Sequence, residues 1–147
     1  MDTRDIGIRN HTYRLFVEQG HPPEPADVAA AAGLTAAEVE KSWRRLHEAH
    51  ALVLHPDRSE IVWANPFSAV PTRHRVHAAG RWWYAPCSWD SFAICAALHS
   101  DGTIETSCPD CGDEISVTVR DERPDDESLL FHCLVPAAHW WDDIGFA

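Results

Sequence analysis

Leu34-Thr35-Ala36-Ala37-Glu38-Val39-Glu40-Lys41-Ser42-Trp43-Arg44-Arg45-Leu46-His47-Glu48-Ala49-His50-Ala51-Leu52-Val53-Leu54-His55-Pro56-Asp57-Arg58-Ser59-Glu60-Ile61-Val62-Trp63 is where the chain changes from helix to strand. Thr35 followed three residues on by Glu38 is a capping box, which starts a helix by satisfying otherwise orphaned backbone N–H groups. Val39, Trp43 and Leu46 then fall on one helical face as far as about His50. Two short β-rich runs, 52–55 and 60–63, flank the turn Pro56-Asp57-Arg58-Ser59 and predict a hairpin. Upstream, Tyr13, Phe16 and Val17 mark a helix over 11–19. The break Gly20-His21-Pro22-Pro23-Glu24-Pro25 follows, and a short helix over 26–32 ends at Gly33. Downstream, 75–78, 81–84, 102–106, 115–119 and 129–134 have strand character, and only 91–98 reads as a helix. Helices first and strands afterwards predict an α+β fold. The expected organisation is a winged-helix-like helical unit over 1–63 and a mixed β core with one central helix over 64–147.

The chemistry concentrates in Trp83-Tyr84-Ala85-Pro86-Cys87-Ser88-Trp89-Asp90. If the next apolar run is a helix, Cys87 stands at its N-terminal end and Asp90 one turn inside. A helix N-terminus favours thiolate, whereas a nearby carboxylate opposes it. The pair is therefore expected to share one proton as a coupled unit, with Asp90 at least partly protonated while Cys87 is thiolate, and with Cys87 the most reactive thiol, ahead of Cys95 and Cys133. Trp83 and Trp89 frame it as candidate walls of a dry pocket for an apolar group on a soft centre.

The remaining cysteines divide by context. Cys108-Pro109-Asp110-Cys111-Gly112 has the spacing for two sulfurs on one ion and is half of a tetrahedral zinc site, or else a turn with two reduced thiols. Cys133, His132 and His139 are the downstream residues able to complete it. Cys95, eight residues after Cys87 in the apolar helix, reads as core. Cys133 reads as core or as a second thiol facing Cys87. His74 and His77 lack ligand-pair spacing.

Composition narrows the classes. The 147 residues carry a formal net charge of −11, and the recognition-helix position mixes Glu38 and Glu40 with Lys41, Arg44 and Arg45. Binding to a nucleic-acid backbone is not expected. No apolar run approaches the roughly 20 residues of a membrane span, and the N-terminus lacks a signal-peptide pattern. The expected location is cytoplasmic, with five reduced cysteines.

The stretches Asn65-Pro66-Phe67-Ser68-Ala69-Val70-Pro71-Thr72, Trp83 through Asp90, Ser107-Cys108-Pro109 and His139-Trp140-Trp141-Asp142-Asp143-Ile144-Gly145-Phe146 together resemble the alkylmercury lyases (organomercurial lyases). That family cleaves a carbon–mercury bond with two cysteines and an aspartate. The resemblance implies that Cys87 is the first cysteine and Asp90 the aspartate. The family's second cysteine follows a stretch resembling Ile144-Gly145-Phe146, and no residue up to Ala147 matches it. The expectation is a divergent member, with Cys133 as the candidate second thiol.

Three functional readings follow. The first is a lyase on a small organometallic substrate, assisted by low-molecular-weight thiols and needing no organic cofactor. The second is a non-catalytic protein holding mercury, copper or zinc on thiolates, with Cys108 and Cys111 as candidate ligands. The third is a biosynthetic lyase breaking another carbon–heteroatom bond with the same Cys–Asp pair.

Overall fold

In the computed structural model, which describes residues 2–145, three helices lead into a single eight-stranded sheet. The helices are α1 (Thr3–Gln19), α2 (Pro25–Ala32) and α3 (Ala36–Glu48). Asp2 caps α1 by accepting from the Asp5 N–H at 2.8 Å, and Gly20, at φ +79°, ends it with a bond to the Phe16 carbonyl. Such left-handed backbone is open to glycine at no steric cost. The Thr35–Glu38 capping box forms in both directions, at 3.3 and 2.9 Å.

The strands are β1 (Val53–Leu54), β2 (Ile61–Ala64), β3 (Phe67–Ser68), β4 (Arg75–Ala78), β5 (Arg81–Tyr84), β6 (Gly102–Ser107), β7 (Glu114–Arg120) and β8 (Arg123–Pro124). Helix α4 (Ser88–Ala97) separates β5 from β6. The sheet order is β1-β2-β3-β5-β4-β6-β7-β8, and every pairing is antiparallel. The β character read in the core is thus wholly antiparallel. Alternation along β4 buries Val76 and Ala78, and along β7 it buries Val117 and Val119.

One core joins the helices to the sheet. Phe16 of α1 stacks on Phe67 of β3 at 5.5 Å, and Phe67 meets Trp83 of β5 at 5.1 Å. Helix α4 lies over β4 and β6 with Ile94 and Cys95 buried. At Gly102 the approach is so close that a Cβ would stand 2.8 Å from the Cys95 sulfur and 2.9 Å from the His77 carbonyl.

The expected strand over 129–134 does not form. The segment is irregular and exposed, with Leu130 95% and Leu134 80% accessible. β-propensity needs a neighbouring strand to become structure. The sheet ends at β8, whose Pro124 has no N–H to offer another strand. A 3-10 turn, Ala137–Asp142, follows. Phe146, the end of the resembling C-terminal stretch, lies outside the described residues. Among those residues no helix is long and apolar enough to cross a membrane.

Helices α1 and α3 are tied by a buried acid. Asp5, 3% exposed, accepts from Ser42 Oγ at 2.6 Å and from Arg45 Nε and Nη2 at 2.9 and 2.6 Å. The Arg45 bonds hold its carboxyl below the usual aspartate range, against the opposing effect of burial. A depressed folded-state pKa gives stability above the unfolded value that is lost as pH falls through the folded one. Asp5→Asn is expected to cost about 2 kcal/mol at neutral pH and to flatten the loss of stability below pH ~4. Urea midpoints measured from pH 7 to pH 2 check this. A variant with the wild-type acid profile would show that Asp5 does not carry the tie.

Candidate active site

Cys87 occupies the N-cap of α4 in extended backbone, φ −146° and ψ 176°, directly after β5 and the Ala85-Pro86 turn. Asp90 is the third residue of the helix. The spacing brings the Cys87 thiol to Asp90 Oδ2 at 3.2 Å, with the sulfur donating. The same carboxylate oxygen accepts from Asn65 Nδ2 at 3.4 Å. Asn65 is located from behind by Tyr13 of α1, whose hydroxyl donates to the Asn65 carbonyl at 2.9 Å.

The turn ahead of Cys87 is pinned on its other side. The Ala85 N–H donates to the His74 carbonyl at 3.0 Å, and Thr72 Oγ1 donates to the Ala85 carbonyl at 2.7 Å. His74 N–H in turn donates to Thr72 Oγ1 at 3.1 Å. Two short loops are thereby laced together two residues before the thiol. Ser91, fully buried, donates its hydroxyl to the Cys87 carbonyl and fixes the first helical turn.

Cys87, Asp90, Asn65 and His74 face a cleft of about 420 Å³. Cys87, Asp90, Trp89 and Cys133 all line it, so the structure brings four of the candidate residues to one cavity. Trp89, Phe131 and Trp140 make its aromatic walls, and Trp89 stacks at an angle on Phe131 at 5.9 Å. Trp63 also lines the cleft, and its buried indole N–H has no partner among the described residues. Cys133 sits in the irregular 129–134 segment, where its thiol donates to the Val135 carbonyl at 2.8 Å.

Trp83 does not line the cleft. It is 4% exposed, packs on Phe67 and donates its indole N–H to the Ala78 carbonyl at 3.0 Å. Alternation along β5 turns it inward, opposite to Trp82 and Tyr84. Cys108 and Cys111 stand together on the β6–β7 turn, where Gly112 takes φ +79° and donates to the Cys108 carbonyl at 3.0 Å. Backbone N–H groups of Cys111 and Asp110, then the Cys111 thiol, hold Cys108 below its ordinary pKa. Neither cysteine lines the cleft, although Pro109 between them does. Among the described residues no three His, Cys, Asp or Glu side chains converge as a metal site. His132 lines the cleft, and His139 bonds to Asp142 at 3.0 Å. Cys95 is core.

The electrostatics run against the expected thiolate while keeping the shared proton. Burial pushes the Cys87 thiol up to about 11, and the Asp90 charge adds to this, against a smaller pull from the backbone N–H groups of Asp90 and Trp89. A helix-end dipole worth about 0.3–1 kcal/mol is outweighed by desolvation of the anion. Asp90 is raised too, first by burial, with the bonds from Cys87 and Asn65 pulling partly back. The resting pair is thus a neutral thiol bonded to a carboxylate, which shares its proton. Cys87 is poised to give up a proton only when a soft centre arrives. His74 is lowered by burial and then by Arg73, and its Nδ1 pairs with Thr106 Oγ1 at 2.8 Å.

Sequence reading passes over Arg73, which lines the cleft beside His74. Its only signal is its place directly after Pro71-Thr72, at the end of a resembling stretch.

The sequence model of the alkylmercury lyase family (MerB) matches residues 67–146, more than half of the chain. This chain belongs to the alkylmercury lyase family. Among solved structures, the mercury-bound form of MerB2 matches with a TM-score of 0.71 at 23% identity, over 86% of this chain and 60% of that one. At that identity the likeness is one of fold, and the chain spans about three-fifths of that protein's length. No curated protein matches the sequence.

Iodoacetamide labelling of Cys87 is expected to climb through the alkaline range with a midpoint of about 11. Asp90→Asn removes the adjacent charge and should bring that midpoint down while burial keeps it above the ordinary value. Peptide-resolved mass spectrometry across pH reads both. An unshifted midpoint in Asp90→Asn would break the link between the two groups.

Proposed function

We propose that the protein cleaves the carbon–mercury bond of an organomercurial bound in this cleft. The observation that carries the reading is the 3.2 Å thiol-to-carboxylate contact between Cys87 and Asp90 inside a cavity walled by aromatic side chains. Membership in a lyase family supports it.

The substrate enters as an organic group and a small thiolate, both on mercury. Cys87 passes its proton to Asp90 as its sulfur bonds mercury, and the small thiolate departs. Asp90, whose raised pKa favours holding a proton, then delivers it to the carbon bonded to mercury. The hydrocarbon leaves, and mercury remains on Cys87. A carboxylic acid protonates carbon slowly. A second sulfur on mercury raises electron density at the carbon and takes up the metal as the bond breaks. Cys133 is assigned that role, because among the described residues it is the other thiol lining the cavity; as its sulfur bonds mercury, its proton goes to the small thiolate that has departed.

A second reading is retention of a soft ion without turnover. It is favoured by the Cys108–Cys111 dithiol, which offers two sulfurs and no third ligand among the described residues. Two-coordinate soft ions suit such a pair better than tetrahedral zinc.

Phenylmercury incubated with protein and excess 2-mercaptoethanol should release benzene. Asp90→Asn should slow release by about 10²–10⁴-fold while mercury stays bound, and Cys87→Ser should stop it. Cys133→Ser should slow release by roughly tenfold. Mercury bound by wild type with no benzene formed, and its retention lost in a Cys108→Ser/Cys111→Ser double variant, would favour the second reading.

A further inference from the structure

Most cations of this chain are engaged. Six arginines face carboxylates, Arg9 lies over the Tyr13 ring, and Arg81 donates to the Val17 and Glu18 carbonyls. Lys41, Arg120 and Arg123 show no such partner among the described residues either, but Arg73 differs in its place: it is exposed, no carboxylate of those residues lies within ion-pair distance of it, and among them it is the one arginine or lysine lining the Cys87–Asp90 cleft.

Its backbone is also held. Thr72 and His74, on either side, bond to Ala85, two residues before Cys87. The guanidinium is therefore carried on a loop fixed to the catalytic turn rather than on a free one. Burial works against a charged His74 beside it, so the permanent positive charge among the described residues of the wall is that of Arg73. A chain of net charge −11 repels anions at long range. A guanidinium with no carboxylate partner among the described residues, set on an aromatic cleft, is a local exception to that field.

We propose that Arg73 is a specificity-determining residue that binds a carboxylate carried into the cleft by the mercury complex. The substrate class is an anionic organomercurial adduct, with the aromatic walls holding its apolar part and the Arg73 fork holding its carboxylate. The carboxylate has two sources, the organic group or the small thiol bound to mercury. This inference rests on the organomercurial reading of the cleft.

The test compares three adducts. Phenylmercury with 2-mercaptoethanol is the neutral reference. 4-Carboxyphenylmercury with 2-mercaptoethanol puts the charge on the organic group, and phenylmercury with 3-mercaptopropionate puts it on the thiol. Arene release gives kcat and KM, and quenching of tryptophan fluorescence gives affinity without turnover. In Arg73→Gln, the KM of a carboxylated adduct relative to the reference should rise about tenfold. Arg73→Lys should recover part of that ratio, and Arg73→Glu should worsen it. A merely structural arginine would shift all three adducts together. A ratio that moves only for the carboxylated aryl names the organic group as the source, and one that moves only for mercaptopropionate names the thiol. Equal changes for all three adducts in every variant overturn the proposal. If wild type releases no arene from any adduct, the lyase reading falls, and the quenching ratios still decide the role of Arg73.

Discussion

A single proton held between a half-buried sulfur and a half-buried carboxylate is the constraint around which the rest of the molecule is arranged. Burial disfavours the anion on either group, and contact between them disfavours two anions still more. The low-energy arrangement is one charge shared over two atoms. This explains why Cys87 at a helix N-terminus is not a thiolate: the dipole is fixed and small, whereas desolvation acts on the whole charge. Such a pair is quiet towards water and ordinary electrophiles. It responds to a centre that bonds sulfur strongly enough to release the proton, and the released proton has one nearby acceptor.

Holding that geometry falls to groups far apart in sequence. Asn65, steadied by Tyr13 of α1, bonds the carboxylate from the β2–β3 side. Thr72 laces the Ala85 turn to the His74 loop. Phe16, Phe67 and Trp83 carry the packing from α1 into β5, the strand that delivers Cys87. The N-terminal helices thus reach the site without contributing a thiol or an acid to it.

Local signals made much of this legible. The Thr35–Glu38 box, the strands 75–78 and 81–84 and the Cys87–Asp90 spacing are all set within a few residues, and the structure places each where the sequence puts it. What was hidden depended on long-range context. Trp83 and Trp82 are adjacent and chemically equal, and only the register of β5 decides that one is core and the other surface. The run 129–134 has strand composition but no partner, because β8 closes the sheet. Arg73 carries no motif; it matters because a crossing loop brings it beside a cysteine fourteen positions on. The pKa of Cys87 follows from burial, which no spacing reveals.

The segment carrying Cys133 has a physical character of its own. It leaves Leu130 and Leu134 largely exposed, with Leu134 on the lining of an aromatic cavity, an arrangement that costs hydrophobic free energy in water. Its thiol is bonded to a carbonyl only two residues on, so using that sulfur means breaking a local contact rather than a packed one. In the proposed reaction an organic group entering the cleft meets apolar surface of Phe131 and Leu134 on either side of Cys133. A tethered thiol then competes with thiols in solution by its effective concentration, which reaches the millimolar range for short connections. The balance between Cys133 and external thiol is therefore set by how much apolar surface the substrate presents. A bulky aryl group favours the tethered sulfur, and a methyl group leaves the second position on mercury to solution.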